Sequence, residues 1–141
     1  MIRLLLGSEQ RAQIEREARA AFPRECCGLI EGVRDRDLFR TSALHATRNI
    51  ASEAGRFEID PSEHIRILRV LRGTGREIAG CYHSHPNGEP QLSAYDREGS
   101  GENGFVWLII ALTDQTTSKL VAFVDEGQSF CQTEIAWPVG S

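Results

Sequence analysis

The stretch Cys81–Asp96, CYHSHPNGEPQLSAYD, holds two histidines two residues apart, then a serine and an aspartate three residues apart. Alternation along an extended segment from Glu77 to His85 sends Ala79, Cys81, His83 and His85 to one face. Ile78, Gly80, Tyr82 and Ser84 go to the other. Residues i and i+2 on a strand stand about 6.7 Å apart at the backbone. Two imidazoles at that spacing can lean onto one ion with metal–nitrogen bonds of about 2.1 Å. Pro86 ends the strand and Asn87-Gly88 turns the chain, which lets Asp96 swing back as a third ligand. Two histidines and one carboxylate leave a tetrahedral zinc with one free position, the mark of a catalytic site and not of a closed structural one. Zinc lowers the pKa of a bound water to about 7. Amide hydrolysis also needs a general base and a donor to the oxyanion. Ser93, three residues before Asp96, can face the same ion. Each feature has an ordinary alternative, since His-x-His can be a polar strand face and Ser93-x-x-Asp96 a helix cap. Together, with the turn between them, they point to a metal site. An Asp96 that served as ligand would be unavailable to return a capping bond.

The bulk properties narrow the class. A chain of 141 residues fits one domain, 1–141. That length buries roughly two-thirds of the unfolded surface, enough to fold without disulfide or metal. The net charge of −4 gives no reason to expect nucleic acid or an anionic membrane as partner. No apolar run approaches the roughly 20 residues of a membrane span. The opening MIRLLLGSEQ reads as a strand and not as a signal peptide, so a cytoplasmic location is expected. The cysteines are Cys26, Cys27, Cys81 and Cys131. They show no CxxC pair, so the reading is free, mostly buried thiols and no four-cysteine zinc site.

Local signals outline the elements. Ile2 to Leu6 reads as a first strand. Ser8 caps a helix to about Phe22, stopped by Pro23, with Ile14, Ala18, Ala21 and Phe22 on one stripe. Strands follow at Cys26 to Val33, Asp37 to Thr47 and Arg56 to Ile59. Asp60-Pro61-Ser62-Glu63 opens a helix, with Asp60 as cap, Pro61 first and Glu63 reaching back. That helix is expected to turn Ile65, Leu68 and Leu71 inward and to end near Gly73. Strands at Glu77 to His85, Phe105 to Leu112, Lys119 to Asp125 and Phe130 to Trp137 complete the pattern, with a short helix at Ser93 to Asp96. No repeat or linker interrupts it. The order is irregular, which argues for an α/β domain with a mixed or mostly antiparallel sheet and against a doubly wound parallel one.

At this point the chain resembles a known family. His83-Ser84-His85-Pro86, six residues, Ser93, two residues and Asp96 match the motif of the JAMM (MPN-plus) metalloproteases without a gap. Pro23-Arg24-Glu25-Cys26-Cys27-Gly28-Leu29-Ile30-Glu31-Gly32 resembles the upstream segment that carries the family's catalytic glutamate. Arg56-Phe57-Glu58-Ile59-Asp60-Pro61 is similar to the segment that bacterial members carry before their central helix. The likeness runs over about Glu9 to Leu112.

The resemblance implies an α/β domain of the α+β type, related to the JAMM/MPN (cytidine-deaminase-like) fold. It would have a mixed, mostly antiparallel curved sheet, two main helices and a short third. It implies one Zn2+ per chain on His83, His85 and Asp96, and no other cofactor. Glu25 would take a proton from the zinc-bound water and pass it to the leaving amine, and Ser93 would steady the tetrahedral intermediate. The residues alone leave Glu25, Glu31 and Glu58 equally open as the base. Gly28 reads as a strand glycine that admits a neighbouring backbone. Cys81 is a pocket-lining or inert buried thiol, His45 and His64 are surface or packing histidines, and Tyr95 is a groove or rim residue.

The implied activity is zinc-dependent cleavage of a peptide or isopeptide bond after the C-terminal Gly-Gly of a ubiquitin-like protein. At this size the chain looks like the small prokaryotic members, whose implied substrates are β-grasp sulfur carriers. An extended tail laid along a sheet edge beside the metal would add a strand. Two rival readings stand: a non-catalytic binding module or scaffold on the same fold, and a RadC-like DNA-associated metal protein. The upstream segment and the acidic balance favour the protease. Oligomeric state cannot be read from the sequence.

Overall fold

The computed structural model describes residues 2–138. Their elements run β1 (Arg3–Leu5), α1 (Ser8–Ala21), β2 (Cys27–Asp35), β3 (Leu38–Thr47), α2 (Pro61–Leu71) and β4 (Glu77–His85). Then follow α3 (Ala94–Glu98), β5 (Val106–Leu112), β6 (Ser118–Asp125), β7 (Phe130–Thr133) and β8 (Ile135–Ala136). The strands form one sheet in the order β7-β6-β5-β4-β2-β3-β1-β8. β7 and β8 sit at its two ends yet follow each other directly in the chain, so the sheet curls until it is nearly closed. Four strand pairs are antiparallel, whereas β4 with β5 and β1 with both β3 and β8 are parallel. The expected mixed, mostly antiparallel curved sheet with two main helices and a short third is the architecture found.

β4, the strand with both histidines, is central. Its neighbours β2 and β5 pair Cys27 and Ile109 with His83. β5, VWLIIAL, is apolar throughout because both of its faces are covered. Leu108 and Ile110 join a core with Leu4, Ile14, Phe39 and Tyr82 under α1. Trp107 and Ile109 join a second core with Leu29, Ile67, Leu71 and Cys81 under α2. None of the described helices is long and apolar enough to cross a membrane. The four cysteines are free, with Cys26, Cys27 and Cys81 buried.

Several local expectations need correction. Gly7, not Ser8, caps α1, because the Gln10 side chain reaches back to accept the Gly7 N–H at 2.8 Å. Phe22 lies past the helix end and is exposed instead of joining the stripe. Asp60 caps α2 as expected and accepts the Ser62 N–H at 2.9 Å, but Glu63 does not reach back; its carboxylate accepts the Arg48 N–H at 2.8 Å. Ile67 and Leu71 face inward, while Ile65 and Leu68 are 49% and 47% exposed. Apolar residues surround this helix, so its periodicity left the buried stripe open. Arg56 to Ile59 is no strand and makes only an isolated bridge from Ile59 to Asn49. The Asn49 side chain takes the Arg56 carbonyl and the Glu58 N–H that a ladder would have used. Phe130 to Trp137 splits at Glu134, whose carbonyl accepts the Leu4 N–H, so its second half crosses to the far end of the sheet.

Gly28 behaves as the sequence suggested. A Cβ there would collide with the His45 carbonyl oxygen and the Tyr82 ring. The absent side chain lets Tyr82 cross β2 and donate its hydroxyl proton to Glu17 at 2.6 Å.

Candidate metal centre

Strand alternation puts His83 and His85 on one face at the carboxyl end of β4, both buried. Their Nε2 atoms lie 3.1 Å apart. After the turn at Pro86–Gly88, α3 brings back Asp96, whose Oδ2 is 3.1 Å from His83 Nε2 and 3.0 Å from His85 Nε2. Three ligand atoms thus mark a nearly equilateral triangle. A tetrahedral zinc with bonds of about 2.0–2.1 Å has ligand–ligand edges of about 3.3 Å. The triangle therefore matches one face of that tetrahedron, and the imidazole and carboxylate donors are those zinc takes.

Glu25 enters from the segment before β2. Together with the histidines it places one ligand atom per residue within 4.8 Å of the others. The edges that Asp96 makes with the two histidines are near 3 Å. The Glu25 carboxylate is 6% exposed, and its Oε1 has no hydrogen-bond partner among the described residues. Burial lifts the Glu25 carboxyl to about 7, with His85 pulling the other way and Asp96 adding to the rise. Asp96 moves oppositely. Burial would raise it, but the hydrogen bonds of His83 and His85 outweigh that and hold it far below the usual carboxylate range. The two carboxyl groups are thus shifted in opposite directions, Asp96 toward the ionised form and Glu25 toward the protonated one.

The histidines differ too. Burial pulls His83 down and keeps it neutral. Burial also acts on His85, but Asp96 and the Glu89 carbonyl outweigh it and raise the ring. His85 Nδ1 lies 2.7 Å from that carbonyl, which can only accept, so Nδ1 carries a proton and Nε2 is the ring nitrogen on the side of the triangle.

Ser93 caps α3. Its Oγ accepts the Asp96 N–H at 3.0 Å, and its own N–H goes to Asp96 Oδ2 at 2.9 Å. This corrects the expectation that Asp96 could not both return a capping bond and face the metal position. A carboxylate oxygen offers two lone pairs, so Oδ2 serves both. The Ser93 O–H proton remains free to point into a cleft of about 410 Å³ lined by Glu25, His85, Asn87, Glu89, Leu92 and Ser93. Tyr95, expected at a groove or rim, is exposed and does not line this cleft; the Arg56 guanidinium carbon lies 3.3 Å from its ring centroid. β4 is hydrogen-bonded on both sides at His83, so a tail cannot add a strand to it there.

The other candidates lie elsewhere. Glu31 is buried among Ser42, His45 and Arg76, and Glu58 is exposed. Cys81 packs in the second core. The sequence reading missed Asn49, whose amide donates to the Glu25 carbonyl at 3.0 Å, and Phe57, which stacks on His83. No local pattern marks Asn49, and Phe57 stood only within the family-like segment Arg56 to Pro61, with no role attached.

Residues 8–124 match the family Prok-JAB, described as prokaryotic homologs of the JAB domain. A protein of Haloferax volcanii named desampylase is 36% identical over 121 residues, covering 82% of this chain and 86% of that protein. The solution structure of a Desulfitobacterium hafniense protein superposes with a TM-score of 0.87 at 27% identity, covering 96% of this chain and 92% of the other. The crystal structure of a JAB1/MPN domain protein from Archaeoglobus fulgidus shares the fold, with a TM-score of 0.54 at 18% identity over 96% of this chain and 97% of that one. The chain belongs to the prokaryotic JAB-domain family, a small prokaryotic form of the JAMM/MPN proteins.

Proposed function

We propose that this JAMM-type isopeptidase, acting as one domain over 1–141, cleaves the bond after the C-terminal Gly-Gly of a ubiquitin-like β-grasp protein, a prokaryotic sulfur carrier. Met1 and residues 139–141 of that domain lie outside the described residues. The observation that carries the reading is the unpartnered, buried Glu25 Oε1 beside the triangle of His83, His85 and Asp96. The name of the H. volcanii relative supports a ubiquitin-like substrate.

His83, His85 and Asp96 would hold one zinc. Zinc, when bound, supplies a Lewis acid and an activated water near neutral pH. Glu25 Oε1 accepts a proton from the attacking water and returns it to the leaving amine. Burial raises this carboxyl above the ordinary carboxylate range, which favours uptake of that proton. The Ser93 hydroxyl donates to the oxyanion as the carbonyl becomes tetrahedral. The Gly-Gly tail is thin enough to thread the cleft between the segment holding Glu25 and the start of α3. The working compartment in this reading is the cytoplasm.

The test is a β-grasp carrier with residues appended after Gly-Gly, incubated with zinc-loaded protein and read by mass spectrometry. Cleavage after the second glycine, stopped by a chelator, is the expected result. Glu25→Gln should fold and bind zinc yet cut at least about 100-fold more slowly. Undiminished cleavage by that variant would remove Glu25 as the base.

A further inference from the structure

The two histidines are held differently on the ring edge that faces away from the triangle. A metal-binding histidine normally donates its second ring N–H to a carbonyl, carboxylate or water, which sets ring orientation and metal affinity. His85 follows that rule through the Glu89 carbonyl at 2.7 Å. His83 does not. Its Nδ1 is buried and bonds no group among the described residues. The Phe57 ring lies flat on it instead, with centroids 4.2 Å apart and planes 19° from parallel. Trp107 closes the edge at 5.9 Å and 90°. Phe57 in turn meets Trp107 edge-on at 5.7 Å.

Phe57 sits on the irregular segment between β3 and α2, so something must hold it there. Asn49 does. Its amide donates to the Arg56 carbonyl at 2.9 Å and to the Glu25 carbonyl at 3.0 Å, while its oxygen accepts the N–H groups of Glu58 and Ala51, each at 3.0 Å. The residues on both sides of Phe57 are thereby tied to one side chain, and that side chain is tied to Glu25.

We propose that Phe57 is the positioning residue for His83, its stacked ring taking the orienting role that a hydrogen bond on Nδ1 plays for His85. The stack fixes the plane of the imidazole, and Asp96 at Nε2 selects which edge faces the metal position. This inference rests on His83 being a ligand.

The test is Co(II) titration of the full chain stripped of metal, as wild type, Phe57→Leu, Phe57→Met, Phe57→Tyr and His83→Ala. The dissociation constant and the visible Co(II) spectrum are read beside the thermal midpoint of each metal-free protein. Phe57→Leu and Phe57→Met keep apolar bulk but lose the flat face. They should bind Co(II) about tenfold more weakly or worse, with an altered visible band, while Phe57→Tyr matches wild type. If Phe57→Leu does not fold, Phe57→Met carries the comparison. A lowered thermal midpoint with wild-type affinity and spectrum overturns the inference, because Phe57 would then only fill space. If His83→Ala binds as well as wild type, the ligand assignment fails and this inference falls with it. If His83→Ala loses the metal and the Phe57 variants do not, this inference alone fails.

Discussion

Ser93 and Asp96 hold each other from both directions: the serine Oγ accepts the Asp96 N–H at 3.0 Å, and Asp96 Oδ2 accepts the Ser93 N–H at 2.9 Å. The same carboxylate oxygen faces both histidines. The cap of a one-turn helix therefore also aims the Asp96 carboxylate at the two histidines, and it leaves the serine hydroxyl proton unused.

Ser93→Ala should thus show two separable losses. The lost cap costs about 1 kcal/mol of stability, read as a lower urea midpoint. The lost oxyanion donor slows cleavage about 100-fold or more. Ser93→Thr keeps both the oxygen and the proton and should recover most of each. Equal cleavage rates for Ser93→Ala and wild type would leave the residue as a cap alone.

Zinc should raise the thermal midpoint, and a chelator should reverse the rise. At a zinc concentration 1,000 times the dissociation constant the stabilisation is about 4 kcal/mol. His85→Ala removes one corner of the triangle and should respond far less. A wild-type midpoint indifferent to zinc would mean that the three donors do not assemble a site.

Glu31 should make the other end of β2 sensitive to acid. Burial acts to raise its carboxyl, but Ser42 at 2.6 Å, His45 at 2.9 Å and Arg76 at 3.1 Å outweigh it and lower it below the ordinary 4.5. The folded carboxyl then releases its proton more readily than the unfolded one. Its contribution is fully present above the unfolded value and is lost as pH falls through the lowered folded value. Glu31→Gln should be less stable than wild type at pH 7 by about 1.5–3 kcal/mol. The gap should narrow in urea titrations as pH drops below 4.5. A gap independent of pH would show that the loss is one of shape and not of charge.

Gly28→Ala tests the close approach of β2 to β3 and Tyr82. A methyl group there meets the His45 carbonyl and the Tyr82 ring, and overpacking of this kind costs about 1–3 kcal/mol. Moving Tyr82 also breaks its 2.6 Å bond to Glu17. Gly28→Ala combined with Tyr82→Leu should recover part of the loss. An unchanged urea midpoint in the single variant would mean that the strands can separate without cost.

What the sequence by itself determined is what short-range rules govern. Alternation in β4 put His83 and His85 on one face, the Pro86–Gly88 turn brought Asp96 back, and Asp60-Pro61 started α2. These depend on dihedral preferences and on groups within a few residues, so they are readable without the fold. Residue patterns left Glu25, Glu31 and Glu58 equally open, and only the likeness of Pro23–Gly32 to a family segment pointed to Glu25. Where each carboxylate sits was decided by tertiary structure. The β2–β4 register pairs Cys27 with His83, which sets Glu25 beside the triangle, and the same register carries Glu31 away toward Ser42 and Arg76. It alone laid Phe57 on His83, because Asn49 draws the backbone groups of Arg56 and Glu58 out of any ladder. Register, and the one side chain that satisfies a loop's backbone, are set by contacts between residues far apart in the chain, and no local period records them.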